Sequence, residues 1–153
     1  MIAALYTVLT LTAGAFGLAN GAIQLRLSEA LTILPYFTPA AIPGLFVGCI
    51  VSNILTGCVI WDIIFGSIAT LLGAVGTYYL GRKVNKWLSP VPPILANTLI
   101  VPFVLAYAYG AEEGIPFLML TVGAGEVISC GVFGLVLLCA IEPVKHRVFQ
   151  KQG

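Results

Sequence analysis

Three carboxylates stand where the surrounding sequence offers no water. Glu29 precedes the apolar run Ala30-Leu31-Thr32-Ile33-Leu34, Asp62 follows Trp61, and Glu126 follows Gly123-Ala124-Gly125. An ionised carboxylate at mid-bilayer costs at least about 2.5–3.5 kcal/mol on insertion scales, so such groups face a cavity or a partner. Two amides, Asn53 and Asn97, lie in similarly apolar runs, and Gln24 and Arg26 come just before Glu29. Carboxylates accept hydrogen bonds and attract cations, and amides donate and accept. Such a set grips a small polar ligand, and without an accompanying nucleophile or base it is a binding site before it is an active site.

Architecture alone accounts for part of this set. Glu29 and Asp62 begin helices, where a carboxylate favours the macrodipole. Arg26 would pair with Glu29, and Asn53 and Asn97 would tie helices together. Trp61 suits an interfacial anchor as well as a stacking platform. Glu126 lies far from either end of its helix and is the hardest to explain structurally. Glu112 and Glu113 read as a solvated turn. Catalytic chemistry is thin. The single histidine, His146, sits in the basic tail Lys145, His146, Arg147 and Lys151. No metal-spaced cluster, phosphate loop or nucleophile elbow is present, so neither a metal nor another cofactor is expected. The four cysteines, Cys49, Cys58, Cys130 and Cys139, form no CxxC and read as small core residues.

The elements that position these residues follow from composition. Of 153 residues, 59% are hydrophobic and 8% charged, with a formal net charge of +1, and the mean hydropathy is +1.05. A soluble domain is about 25% charged. Seven basic and six acidic side chains cannot cover a globule of this size in water. A soluble monomer, a disordered chain and a nucleic-acid binder are excluded. What remains is an integral membrane protein whose solvent is lipid, with 1–153 forming a single transmembrane helical domain. Continuous apolar runs such as Ile94–Tyr109 and Val127–Ile141 favour helices over a barrel, whose strands alternate.

Six helices are expected. The first runs from Ile2 to Phe16 and, lacking a basic lead or cleavage site, reads as a span rather than a signal peptide. A loop over Gly17–Leu27 leads to a short second helix, Ser28–Phe37. Pro35, Pro39 and Pro43 separate it from a third, Pro39–Leu55, because a straight helix through them would cost about 3 kcal/mol at each. The fourth runs from Ile60 to Val84, with Gly66, Ala69, Gly73 and Gly76 as a small-residue face for close helix approach. The fifth spans Pro90–Gly110 and the sixth Pro116–Arg147. Arg82, Lys83, Lys86 and the C-terminal tail fall on one side, expected to be the cytoplasm, with both termini there. A multi-pass protein of the cell membrane is therefore expected, with Glu29, Asp62 and Glu126 in the outer half of the bundle.

The stretch Gln24-Leu25-Arg26-Leu27-Ser28-Glu29-Ala30-Leu31-Thr32-Ile33-Leu34-Pro35, followed by Gly44-Leu45, Gly48-Cys49 and Trp61-Asp62-Ile63-Ile64-Phe65-Gly66, closely resembles the QueT family over nearly the whole chain. Its members are substrate-binding membrane subunits (S-components) of energy-coupling-factor transporters for queuosine precursors. The resemblance implies a six-helix fold without enzymatic activity. It also implies an outer pocket capped by the loop between helices 1 and 2, and three partners: a transmembrane coupling subunit and two cytoplasmic ATPases. In this class the loaded subunit topples on docking. Many S-components dock through AxxxA in helix 1; here Ala3, Thr7, Thr10 and Gly14 stand at those spacings, so the strict pattern is absent.

A deazaguanine presents a ring N–H and an amino group, a donor edge that suits a carboxylate. Its aminomethyl form and queuine add an amine. In this reading Glu126 or Glu29 takes the donor edge, Asp62 neutralises the amine and Trp61 stacks on the ring. Asn97 and Gln24 complete the polar edge, and Arg26 holds Glu29 or the lid. Other classes make other expectations. An S-component for another vitamin-like molecule would respond to different ligands. A membrane-embedded enzyme would turn over without ATPases. A structural bundle would show no ligand-induced stabilisation.

Overall fold

The computed structural model describes residues 1–18 and 25–149. Helix α1 spans Ile2–Ala15, a 3-10 helix Leu27–Tyr36, α2 Ala41–Leu55, α3 Ile60–Lys83 and α4 Val91–Tyr107. The last rod is composite: α5 (Ile115–Glu126), a π-helical stretch (Val127–Phe133) and α6 (Gly134–Ile141). A 3-10 turn, Glu142–Val144, and the short α7, Lys145–Phe149, follow it. The described residues contain no strand, and the expected all-α, six-helix bundle is what forms. Among the described residues, three segments are long and apolar enough to cross a membrane: Ile60–Lys83, Lys86–Tyr107 and Ile115–Phe149. Helices α1 and α2 are apolar but shorter.

The punctuation has local causes. Gly17 and Gly57, at φ 73° and 72°, adopt the left-handed conformation just past the ends of α1 and α2, where a side chain would be strained. Pro92 and Pro93 enter the first turn of α4, and Pro116 that of α5, where the missing N–H costs nothing. Pro102, inside α4, removes the bond that would reach the Thr98 carbonyl.

The short second helix falls where the prolines put it, but its winding differs from an α-helix. All ten residues Leu27–Tyr36 are wound as a 3-10 helix, whereas such runs seldom exceed four. At 2.0 Å per residue it reaches about 20 Å, against about 15 Å as α. It packs against α1, α2, α3, the π-helical stretch and α6, so it is the central strut. Leu31 and Leu34 join Tyr6, Leu45, Cys49 and Ala74 in the core.

Close approach carries the rest of the packing. A Cβ on Gly73 would stand 2.7 Å from the Pro93 Cα, and Gly76 meets Pro92 in the same way. The small-residue face of α3 therefore receives the N-terminal turn of α4. Outward, Leu72, Leu95, Leu99, Leu120 and Val136 are each more than half exposed, a surface that hydrocarbon accepts and water does not.

The expectation that all four cysteines are core residues needs correction, and Ala3, Thr7 and Thr10 lie toward the bundle. A Cβ on Gly48 would lie 3.0 Å from the Ala3 carbonyl, so this turn of α1 is pressed against α2. Thr7 is buried, and the Thr10 hydroxyl donates to Ser28 Oγ at 2.9 Å; of the four, Gly14 alone is exposed. The cysteines divide: Cys49 and Cys130 are buried, Cys58 is half-buried and Cys139 is exposed.

Candidate functional site

A cavity of about 660 Å³ opens at the end of the bundle where α1 finishes, α3 starts and α4 finishes. Its polar lining includes Tyr6 and Thr10 of α1, Arg26, Asn53 of α2, Asp62 and Tyr109. Asp62 sits in the first turn of α3, where the helix dipole favours its charge. Its Oδ2 accepts a 2.8 Å hydrogen bond from the Tyr109 hydroxyl. Its Oδ1 is buried and has no hydrogen-bond partner among the described residues. Burial first, and then the bond to Asp62, push the Tyr109 phenol above its ordinary pKa, so it remains a donor. Asn53 Nδ2 braces the Asp62 backbone carbonyl at 3.4 Å. An orphaned carboxylate oxygen beside a cavity is an open valence, because such an atom ordinarily finds a donor.

A second polar cluster lies one side chain further in. Glu29 is fully buried. Tyr6 donates a short hydrogen bond to its Oε1, and Asn97 Nδ2 donates to its Oε2 at 3.4 Å. Thr32 caps its backbone carbonyl at 2.6 Å, a contact that 3-10 winding creates by stacking residues three apart. Glu126 enters from the end of α5, and the Cys130 thiol donates to its Oε2 at 3.2 Å. The π-helical turn begins directly after Glu126, and such turns recur at functional sites. Ligand atoms of Glu29, Glu126 and Cys130 converge within 4.8 Å. By atom type they would suit a divalent cation, yet both Glu29 oxygens already take protein donors.

The structure thus divides the expected acidic pocket into two tiers. Asp62 and Arg26 face the cavity, while Glu29, Asn97 and Glu126 lie beyond Tyr6, the residue shared by both tiers. Asn97 joins the cluster more firmly than its position in the chain promised. Arg26 forms no ion pair within 4.0 Å with Glu29; it lines the cavity together with Asp62. Trp61 is turned away. It is 57% exposed, stacks on Phe65 and borders a separate outer groove with Phe103 and Tyr107. Gln24 lies outside the described residues, as does Lys151. Tyr6 and Tyr109 were missed by the sequence reading. An aromatic hydroxyl within or next to a span was the available signal, since a buried Tyr O–H needs a partner.

Comparison with known proteins completes the picture. The family model described as QueT transporter matches residues 1–143. A protein of Lactococcus lactis subsp. cremoris (strain MG1363), named a queuosine precursor transporter QueT, is 38% identical over 72 residues. That alignment covers 47% of this chain and 42% of the relative, so the chain spans less than half the length of the relative it matches. No solved structure matches. With the family model extending over all six helices, an apolar all-α bundle and an acid-lined cavity at one end, the chain belongs to the QueT transporter family.

Proposed function

We propose that this chain is the substrate-binding membrane subunit of an energy-coupling-factor transporter and binds an amine-bearing 7-deazaguanine, a queuosine precursor. The observation that carries the reading is the buried Asp62 Oδ1, without a hydrogen-bond partner among the described residues, on a residue that lines the cavity. A cavity of about 660 Å³ falls within the usual range for small-molecule sites, roughly 300–1,000 Å³. Asp62 takes the ligand's ammonium, held in register by Tyr109. The Tyr6 hydroxyl donates its hydrogen bond to Glu29, which leaves its oxygen lone pairs to accept from the ring N–H. Glu29, supported by Asn97 and backed by Glu126, is then a positioning group for Tyr6. Arg26 offers donors to the ring carbonyl. Trp61 has no part in it.

In this reading the basic end, with Arg82, Lys83, Lys86 and Lys145, faces the cytoplasm. Both termini lie there, the chain crosses the cell membrane several times as one domain, and the cavity opens outward. Transport is driven by a transmembrane coupling subunit and two cytoplasmic ATPases, and the chain performs no turnover itself.

The test is a melting-temperature screen of the purified protein with queuine, its aminomethyl precursor, guanine and unrelated vitamins. A ligand bound only by the folded state raises its stability. Stabilisation by the two amine-bearing deazaguanines above guanine is expected. A flat response to both, or a larger response to one of the vitamins, overturns the reading.

A further inference from the structure

The opposite end of the bundle holds a second pocket, of about 320 Å³, bordered by Tyr36, Phe37, Arg82, Lys145, His146 and Phe149. Three separate elements build it: the end of the 3-10 helix, the last turn of α3 and the terminal α7. Its floor is aromatic. Phe37 and Phe149 stack with centroids 5.5 Å apart and planes 6° from parallel, and Tyr36 meets Phe37 edge-on at 5.0 Å. Its rim is cationic, with Arg82 and Lys145 from different elements and no acid in the lining. The nearby Glu142 is already tied to Lys86 at 2.9 Å, so it does not cancel that charge.

The level of this pocket along the bundle is marked by neighbouring rings. Arg82 lies 5.2 Å from the Tyr78 ring centroid, Lys83 lies 5.0 Å from that of Tyr79 and Lys86 lies 5.5 Å from that of Trp87. Basic and amphipathic aromatic side chains paired at the end of apolar helices belong at the headgroup layer of a bilayer. Basic pockets between helices at that depth suit lipid phosphates.

We propose that this pocket holds the phosphodiester headgroup of an anionic phospholipid, with Arg82 and Lys145 on the phosphate and the Tyr36–Phe37–Phe149 wall against its glycerol carbons. A guanidinium fork matches two phosphate oxygens, and the lysine adds a point charge. The aromatic wall offers nothing to free inorganic phosphate, which is why a lipid is the better guest. The inference rests on the chain being a membrane protein and is independent of what the outer cavity carries.

The test uses the purified protein in neutral detergent, with melting followed after adding short-chain phosphatidylglycerol, phosphatidylcholine or inorganic phosphate. Phosphatidylglycerol is expected to raise the melting temperature by about 5 °C, with no comparable rise from the other two. The Arg82→Gln/Lys145→Gln protein should lose that rise; if it fails to fold, Lys145→Gln alone should at least halve it. Equal stabilisation by phosphatidylcholine overturns the proposal, and so does an undiminished rise in the variants. A response to inorganic phosphate equal to that of the lipid reduces the pocket to a simple anion site and also overturns it. None of these readouts involves the transported molecule, so failure here leaves the transport reading standing, and the converse holds.

Discussion

Replacing Asp62 with asparagine removes a charge and almost nothing else. The Tyr109 hydroxyl, which donates to Asp62 at 2.8 Å, still finds a carbonyl oxygen, and the backbone contact from Asn53 is untouched. The fold should survive. Only the second oxygen changes, from an acceptor without a partner among the described residues to an amide donor. A hydrogen bond to a charged group is worth about 1.5–3 kcal/mol. With Asp62 only 4% exposed, solvent screens little of it, which favours the upper half of that range. The predicted loss for an amine-bearing deazaguanine is therefore about 40- to 150-fold in Kd. Titration calorimetry on wild-type protein and Asp62→Asn would measure it, with guanine, which lacks the aminomethyl group, as the comparison ligand. Guanine should lose far less. An equal loss for both ligands would show that Asp62 shapes the cavity rather than pairing with the amine. No loss for either would remove it from the site.

Three further outcomes are expected. Tyr6→Phe strips Glu29 of a buried donor and should destabilise the protein by about 1–3 kcal/mol, read as a fall in melting temperature; an unchanged melt would mean that the two side chains are not bonded. Gly73→Ala places a Cβ against the Pro93 backbone at 2.7 Å and should cost about 1–3 kcal/mol through overpacking, whereas Gly14→Ala, with nothing within 4 Å, should be neutral or stabilising in the same melt. Trp61→Ala should leave ligand affinity unchanged, because the indole lies on the outer groove; a marked loss would return it to the site.

Much of this architecture is written in hydropathy and proline. Pro35, Pro39 and Pro43 separate the second and third helices, and the observed bounds, Leu27–Tyr36 and Ala41–Leu55, lie close to those expected. The buried acids were legible for an energetic reason, since Glu29 and Glu126 are too costly in hydrocarbon to be incidental. Azimuth was legible only through helical register. The signal lay in register rather than in the residues flanking Trp61: Asp62 falls in line with the small-residue face Gly66, Ala69 and Gly73, whereas Trp61 falls in line with the large, exposed Phe65, Ile68 and Leu72. Winding was not legible. The 3-10 geometry of Leu27–Tyr36 and the π turn after Glu126 depend on neighbours distant in sequence, and local propensity does not encode them. Tyr6 reads as one more aromatic in a span until its hydroxyl is seen against Glu29.

The tightly wound central strut has a consequence for how this chain tolerates change in length. Three residues per turn sort it into three columns: Ser28, Leu31 and Leu34; Glu29, Thr32 and Pro35; Leu27, Ala30, Ile33 and Tyr36. Deleting or inserting one residue within it turns everything downstream by about 120°, which exchanges whole columns. Thr32 would leave the Glu29 carbonyl, and a leucine or isoleucine would face Cys130 in its place. Point replacements within a column leave its neighbours in register, whereas any single-residue slip misaligns every contact beyond it at once.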